Sequence, residues 1–137
     1  MMRILFLLSV LFVCTSAFCK ARANYSSAIN AGDFLYVSGQ VPIDPATGKM
    51  MEGDIETLTN QAIDNIQHLL RLNGVDLKQV VSTVVYLKDI RDYDAMDQAY
   101  GSRFNFQYPP ARDVVAAADL LYNARIEISC VAYKKRK

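Results

Sequence analysis

A two-layer α+β sandwich, with its helices on one face of a sheet, is the fold this sequence predicts. Three observations carry that expectation. Phe34–Ser38, Val80–Leu87, Arg112–Ala118 and Arg125–Tyr133 are short stretches rich in branched and aromatic residues, as strands require. Two segments between them repeat apolar residues at helical spacing. Two helices can cover only one sheet face, so the valines and tyrosines of the other need a second copy of the chain over them. A closed symmetric ring is the expected assembly.

The chain has 137 residues, which fits one domain. Its amino terminus is set apart by composition. Met1–Arg3 is short and basic, Ile4–Val13 is apolar apart from Ser9, and small and polar residues begin at Cys14. This is the pattern of a secretory signal peptide over residues 1–23, cleaved after Ala17 or Ala23, and it predicts export. The apolar run falls short of the roughly 20 residues that span a bilayer, so no stable membrane span is expected in the mature chain. A first buried strand in a cytoplasmic protein is the other reading of the same run. Residues 24–137 then form the single domain. Loss of Arg3, Lys20 and Arg22 from 15 basic residues leaves 12 against 14 acidic ones. That balance argues against a nucleic-acid or acidic-membrane binder.

Within the domain, Phe34–Ser38 is the first strand, broken at Gly39, with a further strand expected around Gln40–Ile43. Asp44-Pro45-Ala46-Thr47-Gly48 reads as a turn. Asp54 caps a helix that runs to about Asn73, with Gly74 as its stop and Leu58, Ala62, Ile66, Leu69 and Leu70 as its apolar stripe. In Val80–Leu87, alternation puts Val81, Val85 and Leu87 on one face and Val80, Val84 and Tyr86 on the other. Lys88–Asp92 is a connection, and a second helix follows with Met96, Tyr100 and Phe104 along one side. The last two strands are separated by Asp119–Asn123.

The candidate chemistry lies in those last strands. Arg112 follows Pro109-Pro110-Ala111, and Glu127 sits fifteen positions later in Ile-Glu-Ile. An arginine's planar fork can hold both oxygens of a carboxylate, and a glutamate on a strand can serve as acid, base or water holder. If the two strands form a hairpin, a turn at Asp119-Leu120 pairs Arg112 with Glu127. A turn between Leu121 and Tyr122 pairs Glu127 with Ala116, on Arg112's face. A one-residue slip separates the two onto opposite faces. The same pattern fits a plain cross-strand ion pair. Cys130 reads as core packing, His68 as a surface or boundary residue, and no cluster has metal-ligand spacing.

Several motifs in order resemble the reactive-intermediate deaminase family, also called the YjgF/YER057c/UK114 family. They are Tyr25-Ser26-Ser27-Ala28, Tyr36-Val37-Ser38-Gly39-Gln40-Val41-Pro42, Asp44-Pro45-Ala46-Thr47-Gly48, Thr83 to Asp89, Pro110-Ala111-Arg112 and Ile126-Glu127-Ile128. The resemblance implies a chorismate-mutase-like (ferredoxin-like) α+β fold, a homotrimer with clefts between subunits, and hydrolysis of 2-imino acids and their enamines. Such substrates include 2-aminoacrylate, 2-iminopropanoate and 2-iminobutanoate, which yield 2-keto acids and ammonia. It implies Arg112 as the carboxylate clamp, Glu127 as the residue that positions or activates water, and Tyr25 and Ser38 as cleft-lining side chains. Gly39 and Val114 match positions whose backbone groups approach the ligand. No cofactor is implied, because the imine carbon is already electrophilic. The chain departs from the family before Tyr25, where a first strand and a Gly-Pro are usual, and at Asp113, where a small residue is usual. Strand alternation points Asp113 away from Arg112. A non-catalytic module that binds small carboxylates, or a protein partner, is the alternative on the same trimer.

Overall fold

The structure, a computed structural model, describes residues 24–134. Five strands and two α-helices follow one another along it. They are β1 (Ala28–Ala31), β2 (Phe34–Gln40), α1 (Ile55–Leu72), β3 (Val80–Leu87), α2 (Tyr93–Arg103), β4 (Ala111–Ala116) and β5 (Ile126–Tyr133). The sheet order is β1-β2-β5-β3-β4. Both helices lie on one face, giving the expected two-layer α+β sandwich. The expected leader over residues 1–23 lies outside the described residues.

Each helix follows from its local chemistry. The Asp54 carboxylate accepts a hydrogen bond from the Thr57 N–H at 2.8 Å and starts α1. Gly74, at φ 71, ends it in the left-handed region that glycine enters without strain. Leu58, Ala62, Ile63, Ile66 and Leu70 are buried against the sheet, and Met96, Tyr100 and Phe104 are buried from α2 and its cap. Leu35, Val85, Leu87, Ile126, Ile128 and Ala132 meet them from the strands. Cys130 is part of this core, and burial pushes its thiol up to about 12.

Three expectations need correction. The strand around Gln40–Ile43 is absent: Gln40 ends β2, and Ile43 makes only an isolated bridge to Met50. Buried Pro42 has no N–H for a ladder, and Asn65 on α1 donates instead to the carbonyls of Val41 and Ile43 at 3.0 and 2.9 Å. Second, the faces of β3 are interrupted at its start. Val80 pairs with Ala132 and Ser82 with Val131, so Val81 is an extra residue in a bulge. Val80 thereby joins the core and Val81 becomes exposed, while Val84 and Tyr86 keep the face opposite Val85 and Leu87.

The third correction concerns the last two strands, which do not form a hairpin. The α2 crossover brings β4 back parallel to β3, and β5 inserts on the other side of β3, antiparallel to both β2 and β3. β5 takes the central place because every second residue from Ile126 to Ala132 is fully or nearly buried, whereas β4 is largely exposed and sits at the edge.

Candidate functional site

The changed topology separates the two candidate catalytic residues. Arg112 is in register with Thr83 on β3, which is in register with Cys130 on β5, and Thr83 and Cys130 face the helices. Glu127 is in register with Tyr86 and, through it, with Val115. Strand parity therefore puts Arg112 and Val114 on the helix side of edge strand β4, and Glu127 on the open face. A cross-strand Arg112–Glu127 ion pair within one protomer is thereby excluded. Asp113 points to the open face, away from Arg112, as alternation predicts.

Tyr25, Ser38, Gly39 and Glu127 do converge. They line one cavity of about 750 Å³. A bulge builds its wall, because Val37 pairs with Cys130 and Gln40 with Ile128, which leaves two residues of β2 opposite one of β5. The extra residue lies in Ser38-Gly39, and bulges commonly re-aim side chains beside active sites. Ser38 donates from its hydroxyl to the Ser26 carbonyl at 2.7 Å, and its N–H donates to the Ser27 carbonyl at 3.0 Å. Its side chain thus holds the segment that carries Tyr25. The Gln40 amide donates to the carbonyls of Ser38 and Gly39 at 2.9 and 3.2 Å, which steadies the bulge.

Gly39 is required by Glu127. A Cβ on Gly39 would lie 1.9 Å from Glu127 Oε1 and 2.9 Å from its Cγ, so the carboxylate occupies space that any side chain would fill. Gly39→Ala should displace Glu127 while leaving the fold intact, since Gly39 is not among the residues at positive φ. We expect turnover to fall at least about tenfold, since misplacement by 1 Å can cost about 10²-fold, with a melting temperature near wild type. Unchanged turnover in this variant would show that Glu127's position is immaterial.

Several lining residues are not legible in sequence as site residues. His68 and Asn65 enter from α1, and Leu121 and Tyr122 from the loop before β5. Tyr122 and Asn123 both have positive φ, 58 and 57. Asn123 suits that region, but a tyrosine there is an outlier of the kind that marks a constrained site. The loop is tied down through Lys88, whose ammonium pairs with Asp119 at 3.0 Å and donates to Asn123 Oδ1. An asparagine beside the strand was the one available signal for this turn.

Arg112 lies in a second cavity, of about 460 Å³, between α2 and the chain leading into β4. Its guanidinium stacks 4.5 Å from the Tyr100 ring centroid, and Nη2 is 2.6 Å from Asp97 Oδ1 and 3.4 Å from the Tyr93 hydroxyl. Tyr100 is itself fixed by a 2.8 Å hydrogen bond with Thr83. Burial raises its phenol above the ordinary value, an effect opposed by Thr83 and by Arg112. Among the described residues no group of three or more His, Cys, Asp or Glu side chains could hold a metal ion, and no helix is long and apolar enough to cross a membrane.

Comparison with known proteins agrees with this geometry. The family model described as Endoribonuclease L-PSP matches residues 15–134. A RutC family protein of Pyrococcus horikoshii is 42% identical over 116 residues, covering 85% of this chain and 91% of its own. Reactive Intermediate Deaminase A of Arabidopsis thaliana, a chloroplastic protein, is 35% identical over 112 residues, covering 82% of this chain and 59% of its own. Among solved structures, a Thermotoga maritima protein described as a putative endoribonuclease superposes with a TM-score of 0.80 at 37% identity, covering 85% of this chain and 91% of its own. The Escherichia coli yjgF gene product superposes at 0.76 and 29% identity, covering 81% and 88%. The chorismate-mutase-like α+β fold is therefore the fold of this chain.

Proposed function

This chain belongs to the Endoribonuclease L-PSP family, which is the reactive-intermediate deaminase family its motifs resemble, and on that premise we propose that it is a homotrimeric hydrolase of 2-imino acids. The observation that carries the proposal is the division of the candidate residues. Tyr25, Ser38, Gly39 and Glu127 line one cavity, whereas Arg112 and Val114 lie on the other side of the sheet at its edge. A clamp and a water-holding carboxylate so divided form one site only when two protomers meet. The open face supports such a contact: Ile29, Phe34, Tyr36, Val115 and Tyr133 are exposed on the same face as Glu127. β4 is an edge strand, and edges left unpaired are liabilities that assembly can cover.

In this reading Arg112 binds the substrate carboxylate and holds the imine carbon toward Glu127 of the partner subunit. The Glu127 carboxylate takes a proton from water as the oxygen bonds to the carbon, and passes it to the nitrogen. The hydroxyl of the resulting carbinolamine then gives up its proton, which also ends on the nitrogen, as the C–N bond breaks, so that C=O forms and ammonia leaves. Water supplies the oxygen, and no electrons are transferred to or from a cofactor. The Tyr25 phenol can donate a hydrogen bond at the mouth. The test is keto acid release from freshly generated 2-aminoacrylate and 2-iminobutanoate, with Arg112→Ala as control. Release by wild type and its loss in the variant support the reading. Carboxylate binding without release would instead favour a non-catalytic carrier of small acids.

The assembly has its own test. Light scattering at micromolar concentration should give three times the protomer mass, and a stable monomer would remove the shared site.

A further inference from the structure

We infer that Asp97 sets how tightly Arg112 grips an anion, holding the guanidinium in place while offsetting its charge; this rests on the reading of Arg112 as the carboxylate clamp. Tyr93, Asp97 and Tyr100 stand at helical spacing on α2 and form one ridge against Arg112. Tyr100 supports the flat face of the guanidinium, and the Tyr93 hydroxyl and Asp97 take its Nη2 corner. Tyr93 and Asp97 both meet that guanidinium at Nη2, so Nε and Nη1 each keep an N–H that a ligand oxygen can reach singly. The Arg112 side chain is only 19% exposed, and Asp97 is 47% exposed. The pair is thus held from the side of α2 and open to solvent through Asp97.

Two effects of Asp97 oppose each other. Its ion pair orders the guanidinium, which favours binding of any planar acid. Its negative charge repels a carboxylate arriving at the same guanidinium, within roughly 5–7 Å, and half-exposed like charges at that range weaken binding by about three- to tenfold. Substrate and keto acid product share the carboxylate, so a clamp weakened in this way also releases product sooner. Asp97→Asn separates the effects, because an amide oxygen can stay beside Nη2 while the charge is gone. Asp97→Ala removes both.

Titration calorimetry with pyruvate should give an affinity about three- to tenfold tighter for Asp97→Asn than for wild type, with a steeper loss on adding salt. Asp97→Ala should gain less than Asp97→Asn, because its guanidinium is unanchored. A second measurement needs no substrate: phenylglyoxal modification of Arg112, followed by peptide mass spectrometry, should be faster in Asp97→Asn because the ion pair that shields the group is broken. Equal or weaker pyruvate binding by Asp97→Asn overturns the inference while leaving the clamp standing. Pyruvate binding by neither protein, with Arg112 modified faster in the variant, rejects the clamp and retains Asp97's hold on Arg112. Absence of both effects rejects both.

Discussion

Glu127→Gln is expected to lower imine hydrolysis by about 10²–10⁴-fold, the usual contribution of a positioned general base, while pyruvate binding stays within about twofold of wild type. Glutamine keeps the shape that fills the space above Gly39, and its amide can still hydrogen-bond to water. It cannot take the proton that water loses as it attacks. Binding is spared because the clamp lies elsewhere, on the helix side of β4. A purely structural glutamate would behave differently, with altered stability and unchanged turnover. Among the described residues Glu127 makes no ion pair. Keto acid release and thermal melting measured on the same preparation separate the two. Full turnover in the variant would remove Glu127 from the mechanism.

Arg112→Lys is expected to be nearly as damaging as Arg112→Ala to keto acid affinity. Each charge-assisted hydrogen bond contributes about 1.5–3 kcal/mol, so losing even one of two costs more than about tenfold in Kd. Lysine retains a positive charge, but it has neither the flat face that stacks on Tyr100 nor two parallel donors for a carboxylate. With Asp97 2.6 Å from the guanidinium, a lysine there would also tend to pair with Asp97 alone. Calorimetry with 2-ketobutyrate on both variants is the check. A lysine variant with wild-type affinity would mean that Arg112 acts only as diffuse charge.

How far the sequence disclosed this molecule depends on the range of the interactions involved. α1 was legible from Asp54 to Gly74, because its cap, stripe and stop are all local. The Asp44–Gly48 turn was legible for the same reason: Asp44 accepts from Ala46 N–H and Thr47 Oγ1, and Gly48 sits at φ 68. β1 is not legible in the sequence, since Ala28–Ala31 has four residues and little apolar alternation, and its pairing with β2 defines it. The β4–β5 relationship was also hidden. Two consecutive strands joined by a short loop invite a hairpin, and only the competition for the centre of the sheet decides otherwise. As a result, Tyr25, Ser38, Gly39 and Glu127 share a cavity, while Arg112 reaches them only from another protomer in our reading. The cradle of Tyr93 and Asp97 was invisible because nothing in α2's sequence marks which neighbour that ridge would meet.

In the proposed ring each site takes Arg112 from one protomer and Glu127 from the next, and subunit mixing decides whether the two are shared. Arg112→Ala and Glu127→Gln proteins, each inactive alone, would be unfolded together in equal amounts and refolded, and keto acid release measured. In a cyclic ring of heterologous contacts, random assembly gives about one quarter of the interfaces an intact arginine facing an intact glutamate. Activity should therefore return to roughly a quarter of the wild-type level. If the mixture stays as inactive as its components, with mixed trimers shown by mass spectrometry, both residues act within a single protomer and the shared site is contradicted.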